Sequence, residues 1–201
     1  MNRTKLSYML IPVLAAAVIA GCVFTSTVVI TSRVAPDDNG ESITVTNLNY
    51  TKGEQVVDLN KNATFNDFKS DIKNIDNIGF YLSVENNLFS ATPTMFQLFL
   101  VPDTSKHYTS AQMLVDSLAD LVLTGVLIPG RTATSPEPPQ VTVDWNKSLE
   151  YITNLDLFKS VISDGVFSLY LAALDPETGS RDNFNLTVDS LVFIVTLTGK
   201  K

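Results

Sequence analysis

FNLTVDSLVFIVTL, residues 184–197, is a long apolar stretch with the alternation of a β-strand. Phe184, Leu186 and Val188 share one parity. After them, the other parity carries Leu191, Phe193, Val195 and Leu197. Such a switch predicts a β-bulge at Asp189-Ser190. Because apolar side chains dominate the stretch, we expect the strand to lie deep in a sheet and not at an edge.

The same pattern predicts strands through the rest of the chain. Residues 94–101 (TMFQLFLV) are apolar on both parities, which predicts a central strand. The other predicted strands are residues 23–34, 43–50 with a bulge near Asn47, 55–59, 78–84, 121–128, 141–145 and 166–174. Turns rich in Asn, Gly and Pro separate them. The sequence is therefore mainly β and predicts a β-sandwich of immunoglobulin-like or jelly-roll type with two or three short helices.

Two segments have the pattern of short helices. In the first, Thr64 stands at the N-cap position, and four apolar residues fall on one face of a helix: Phe65, Phe68, Ile72 and Ile75. In the second, residues 146–164 predict one or two helical segments that end at Gly165. We expect the first helix to lie across an open end or edge of the sheet.

The first 21 residues have the charge and hydropathy order of a secretory signal peptide. Arg3 and Lys5 are followed by an uncharged apolar run over residues 8–20. A membrane-spanning helix is the alternative, but it needs about 20 apolar residues, and Pro12 interrupts this run. The pattern favours a signal peptide over residues 1–21.

Ile19-Ala20-Gly21-Cys22 resembles the bacterial lipobox, in which an aliphatic residue and two small residues precede a cysteine. The resemblance implies cleavage between Gly21 and Cys22, a diacylglyceryl thioether on Cys22, and an acyl group on the new amino terminus. Two or three acyl chains together make the membrane anchoring stable. In Gram-negative lipoproteins a residue other than aspartate after the cysteine implies the outer membrane, and here that residue is Val23.

Residues 22–201 are predicted to form a single lipid-anchored β-sandwich domain, because this length suits one hydrophobic core. Without Arg3 and Lys5, 12 basic residues face 21 acidic ones, so the mature chain carries a net charge of −9. That balance argues against nucleic acid as a partner. The chain has one cysteine, so a disulfide framework is excluded within it. The mature part resembles the Gram-negative β-sandwich lipoproteins of unknown function.

Residues for catalysis are few. His107 is the single histidine of the chain, which excludes a two-histidine zinc site. Ser70 and Lys73 fit the S-x-x-K spacing of penicillin-binding enzymes, but the companion motifs are absent. We therefore expect no catalytic residues and no enzymatic activity. A hydrolase would need several carboxylates to converge in a cleft.

Two acidic turns offer oxygen ligands of the kind that calcium requires. The first covers residues 37–39, and the second contains Asp175, Glu177, Asp182 and Asn183. Aspartate, asparagine and glycine are also the ordinary residues of turns, and the spacing fits no EF-hand. Asp175, Glu177 and Asp182 are thus candidate calcium ligands, and we expect no cofactor besides the lipid unless calcium binds there.

Aromatic residues could form a stacking platform for sugars, although core packing is the simpler interpretation: Tyr50, Tyr81, Trp145, Tyr151 and Tyr170. We thus expect an exported lipoprotein held at the outer membrane, facing the periplasm or the cell surface. Its expected role is structural or protein-interacting in the cell envelope. The alternative is a lipid-anchored module that binds carbohydrate or another ligand.

Overall fold

The computed structural model describes residues 25–35, 40–46, 54–109, 113–114, 120–135, 137–181 and 184–200. Their strands are β1 (Thr25–Ala35), β2 (Ile43–Thr46), β3 (Glu54–Asp58), β4 (Ile72–Asn86), β5 (Thr94–Val101), β6 (Leu121–Ile128), β7 (Gln140–Val143), β8 (Val166–Leu174) and β9 (Asn185–Lys200). Their helices include α1 (Ala63–Phe68), α2 (Trp145–Ser148) and α3 (Leu155–Asp164), with 3₁₀ turns at Leu59–Lys61, Lys69–Asp71 and Leu149–Tyr151. The predicted signal peptide and Cys22, and most of the predicted turn at 35–41, lie outside the described residues.

The strands form two antiparallel sheets with the connectivity of a jelly roll. Sheet A has the order β1-β9-β4-β7, with β2 also paired to β9, and sheet B has the order β3-β8-β5-β6. Strand β4 pairs with one edge of β9, and both β1 and β2 pair with its opposite edge. Strands β1 and β2 therefore act as one interrupted strand. Counted so, the first strand pairs with the last, β3 with β8, β4 with β7 and β5 with β6. These nested pairs make the predicted β-sandwich a jelly roll and not an immunoglobulin-like fold.

Strand β9 is the centre of sheet A, as its apolar sequence predicts. It pairs with β4 along its length and with β1 and β2 on its other side. Ser83 pairs with Ser190 and Val84 pairs with Val188, so Asp189 is left without a partner in β4. The predicted bulge at Asp189-Ser190 is confirmed.

Strand β5 is buried on both faces, which explains why both of its parities are apolar. One face belongs to the main core between the sheets, with Phe96, Leu98 and Leu100. The other face belongs to a second cluster outside sheet B, where Phe99 and Tyr170 pack with residues that follow β5. The predicted central strand at 94–101 is therefore confirmed.

The first predicted helix is shorter than its periodicity indicates. Asn62, and not Thr64, caps α1, because its side chain accepts a hydrogen bond from the N–H of Phe65 at 3.1 Å. The helix ends at Phe68, and Ile72 and Ile75 belong to β4. The extension of the helix to Ile75 was wrong because long pairing with β9 outweighs a local apolar spacing.

The segment after β7 also departs from its predicted pattern. Strand β7 ends at Val143, and Asp144 caps α2 by accepting from the N–H of Lys147, so Trp145 is helical instead of the end of a strand. Helix α3 ends at Gly165, whose φ of 82° is left-handed, as predicted for a helix C-terminus. None of the helices in the described ranges is long and apolar enough to cross a membrane.

The sandwich has two ends with different contents. At the proximal end, β1 begins and β9 ends, and the connections that contain α1, α2 and α3 lie there. At the distal end lie the connections over residues 87–93, 129–139 and 175–184. Strand β9 runs from one end to the other, and its 16 residues span about 50 Å.

Candidate functional site

A polar cleft opens at the distal end of the sandwich. Its volume is about 220 Å³, and it lies between the β4–β5 and β8–β9 connections. The described residues that line it are Leu88, Ser90, Thr92, Pro93, Thr94, Asp175 and Ser180. Hydroxyl groups and one carboxylate therefore dominate its wall.

The Asp175 side chain organises one side of the cleft. Its Oδ1 accepts hydrogen bonds from the N–H of Glu177 at 2.8 Å and of Thr178 at 3.2 Å. These two donors hold the pKa of Asp175 below its ordinary value, since they stabilise the carboxylate. Backbone bonds from Gly179 to Asp175 and from Asp175 to Ser180 close the turn. The turn is thus closed by hydrogen bonds and presents an ionised carboxylate at neutral pH.

The other side of the cleft is fixed by a buried asparagine. Asn86 is fully buried, donates from Nδ2 to Oγ1 of Thr94 at 3.1 Å, and accepts at Oδ1 from the N–H of Leu88 at 3.0 Å. The next residue, Asn87, donates its N–H to the carbonyl of Asn185 at 2.8 Å. These hydrogen bonds join this side of the cleft to the start of β5 and to the start of β9.

An exposed aromatic residue stands beside these wall residues. Phe89 is 64% exposed, and the guanidinium carbon of Arg131 lies 5.8 Å from the centre of its ring. The two connections are close together, because a Cβ at Gly130 would come within 1.9 Å of the carbonyl oxygen of Ser90. Phe89 was not predicted as a site residue, and its signal in the sequence is an aromatic residue between strands β4 and β5.

The calcium prediction is only partly covered by the described residues. Asp175 lines the cleft, Glu177 is exposed on the same turn, and Asp182 lies outside the described residues. No group of three or more His, Cys, Asp or Glu that could hold a metal occurs among the residues that the structure describes. The calcium site therefore stays a prediction.

The residues weighed for catalysis are far from the cleft. His107 is exposed in the connection after β5, at the proximal end. Ser70 lies in a 3₁₀ turn and Lys73 lies in β4, so no helical turn places them together.

The aromatic residues considered as a sugar platform are scattered. Tyr170 is fully buried and packs edge-on against Tyr108 at 5.1 Å, so it cannot stack on a ligand. Tyr81 is 38% exposed on β4, and Trp145 lies against Gly79, two residues earlier on that strand. Tyr151 is half-buried beside β6, and Tyr50 lies outside the described residues.

No protein-family model and no curated protein matches the sequence. Two solved virus structures are similar in shape. One is of Desmodium yellow mottle tymovirus, with a TM-score of 0.32 and 12% identity, covering 89% of each chain. The other is of Mud crab tombus-like virus, with a TM-score of 0.38 and 11% identity, covering 89% of this chain and 81% of that one. Likeness at these TM-scores implies no shared function.

Proposed function

We propose that the chain is a lipoprotein of the outer membrane, anchored through Cys22, with a structural or protein-interaction role in the cell envelope. The lipobox-like sequence Ile19-Ala20-Gly21-Cys22 carries this proposal. A diacylglyceryl group on Cys22 and a further acyl chain on its amino group would hold the domain at the bilayer.

The direction of β1 supports this arrangement. Strand β1 begins at Thr25 on the proximal end, three residues after Cys22. Three extended residues reach at most about 11 Å. An anchor at Cys22 would therefore keep the proximal end of the sandwich within this distance of the bilayer.

Two placements favour binding over catalysis. The cleft and His107 lie at opposite ends of the sandwich. Among its described lining residues, Asp175 is the carboxylate, whereas a hydrolase would bring several together. A non-enzymatic role fits both observations.

The anchor is tested by comparing the full chain with its Cys22→Ser variant in Gram-negative cells fed an alkyne-labelled fatty acid. We expect the wild type to carry the label, to fractionate with the outer membrane and to lack residues 1–21 by intact mass. The variant should lose the label, since a hydroxyl does not form the thioether.

Val23→Asp is the matched control, because aspartate at this position should keep the lipid and retain the protein in the inner membrane. A wild-type chain with a bare thiol at Cys22 and the leader still attached would overturn the proposal. Identical soluble fractionation of the wild type and Cys22→Ser would do the same.

A second function, glycan binding, is favoured by the distal cleft. Its hydroxyl-rich wall and the Asp175 carboxylate supply hydrogen-bonding groups for a sugar. Phe89 does not line the cleft, but it stands between two lining residues in the sequence and has a 64% exposed ring on which a sugar could stack. Polar groups in a preformed concavity and a nearby aromatic face are what a carbohydrate site requires.

A glycan array probed with the full chain in detergent tests this second function. A hit should weaken about tenfold or more in Phe89→Ala, consistent with the loss of one good contact. Leu127→Ala, which changes a 50% exposed residue on β6, should bind as the wild type does. No hit, or equal weakening in both variants, would count against the cleft.

A further inference from the structure

Strand β1 has an unpaired edge within the part of the chain that the structure describes. It is the edge strand of sheet A, and among the described strands it pairs with β9 alone. Its 11 residues, TSTVVITSRVA, contain no proline, and Arg33 is their single charge. Edge strands are usually protected by charges, prolines or short length, so a long edge with a single charge is suited to pairing with another strand.

The sequence of β1 is nearly symmetric about Val29. Counting outward from it, the flanking pairs are Val28 with Ile30, Thr27 with Thr31, and Ser26 with Ser32. A two-fold axis that pairs two antiparallel copies of one strand places residues at equal distances from the centre opposite each other. In this register, each of these three pairs brings together residues of the same class.

We propose that two copies of this chain pair antiparallel through their β1 edges, with Val29 opposite Val29, and join two A sheets into one continuous sheet. The proposal goes beyond the lipid anchor and does not depend on it. The partner is a second copy of the chain, because the symmetry of the strand matches itself.

The pairing fits the burial of the strand. Val29 is 60% exposed on the outer face, so the axis would bring two exposed valines together, while Ile30 stays in the core. A two-fold axis perpendicular to the sheet keeps the outer face of each copy outward. Apolar and threonine cross-strand pairs stabilise sheets. Arg33 would face Thr25 of the second copy, so no like charges meet.

Cysteine cross-linking tests the register in the full chain purified in detergent. In a Val29→Cys variant the two cysteines would lie about 4.5 to 5.5 Å apart between Cα atoms, a separation that a disulfide spans. Mild oxidation should give a covalent dimer of Val29→Cys. In Thr31→Cys the two cysteines would be offset by four residues, about 13 Å, and should not cross-link.

The unsubstituted chain, which keeps Cys22, is the control for cross-linking through that residue. A dimer of Thr31→Cys, or its absence in Val29→Cys, would overturn the proposal. The second result would also be obtained if another segment of the same chain or a different protein covered β1.

Charge at the axis gives an independent test. Val29→Lys would place two ammonium groups face to face, and native mass spectrometry from detergent should show loss of the dimer. Val56→Lys is matched, because Val56 is a 58% exposed valine on β3, the edge strand of sheet B, and should stay dimeric. Circular dichroism confirms that both variants fold. A monomeric wild type, or equal behaviour of both variants, contradicts pairing through β1.

Discussion

The backbone N–H of Phe80 donates a hydrogen bond to Oγ of Ser148 at 3.2 Å, across 68 residues of sequence. Strand β7 ends at Val143, which pairs with Leu82 of β4. Phe80 therefore lies beyond the end of β7 and has no ladder partner on that edge within the described strands. Ser148 also donates to the carbonyl of Trp145 at 2.9 Å. Helix α2 thus replaces β7 as the partner of the β4 edge, and a side chain replaces a ladder bond.

Ser148→Ala should destabilise the fold because it leaves the buried N–H of Phe80 without this acceptor. A lost partner of this kind costs about 1 to 3 kcal/mol. Urea unfolding followed by circular dichroism measures the change. Ser160→Ala, an exposed serine on α3, is the control and should alter stability by no more than about 0.5 kcal/mol. Equal stability of the two variants would contradict the role of Ser148.

Gly79→Ala should also destabilise the fold. A Cβ at this position would lie 2.6 Å from the ring of Trp145 and 2.6 Å from Oγ of Ser148. Overpacking of this kind costs about 1 to 3 kcal/mol. In a Trp145→Ala background the same substitution should cost less, because the contact with the indole ring has been removed and only the contact with Ser148 remains. A double-mutant cycle of unfolding free energies measures the coupling, and additive effects would show that Trp145 does not limit the site.

The strands could be predicted because their pairing buries one face, and that burial appears directly as alternation. The parity switch at Asp189 also located the bulge. Consecutive residues of β4, Ser83 and Val84, pair with Ser190 and Val188, so Asp189 is the extra residue that reverses the alternation. Ile75 shows what local apolar spacing cannot predict. Its spacing from Phe68 fits a helix, but Ile75 pairs with Leu197, and a partner 122 residues away leaves no mark in a local window.

The distal cleft could not be predicted for the same reason. Its wall combines five residues of the β4–β5 segment with Asp175 and Ser180, and only the nested strand pairing brings these to one end of the sandwich. Local signals did identify Asp175 as a turn carboxylate. They did not indicate that Phe89 would stand exposed beside Arg131, because a lone aromatic residue in a turn is equally typical of packing.

Phe158→Ala should be among the most destabilising changes in α3. Phe158 is 1% exposed and packs edge-on against Phe193 of β9 at 5.4 Å, so the helix closes the core between the sheets. Loss of a buried phenylalanine costs about 3 to 5 kcal/mol. Leu155→Ala on the same helix should cost much less, because Leu155 is 39% exposed. Thermal unfolding compares them, and similar losses would contradict the placement of Phe158.

The turn at Asp175 should lose stability in acid. The folded-state pKa is lowered by the N–H groups of Glu177 and Thr178, so the carboxylate stabilises the turn above its ordinary pKa of 3.8. That contribution is lost as the pH falls through the lower folded-state pKa. Amide exchange at Glu177 and Thr178, followed from about pH 6 to about pH 2.5, should show protection falling in acid after correction for intrinsic rates. In Asp175→Asn this acid-dependent loss should disappear, because the amide oxygen still accepts but does not titrate.

Asp103 at the proximal end supplies the control, because its pKa is also lowered, by the hydroxyl and the N–H of Ser105. Asp103→Asn should leave the acid response of the Asp175 turn unchanged. A wild type and an Asp175→Asn variant that lose protection in parallel would show that this carboxylate does not hold the turn.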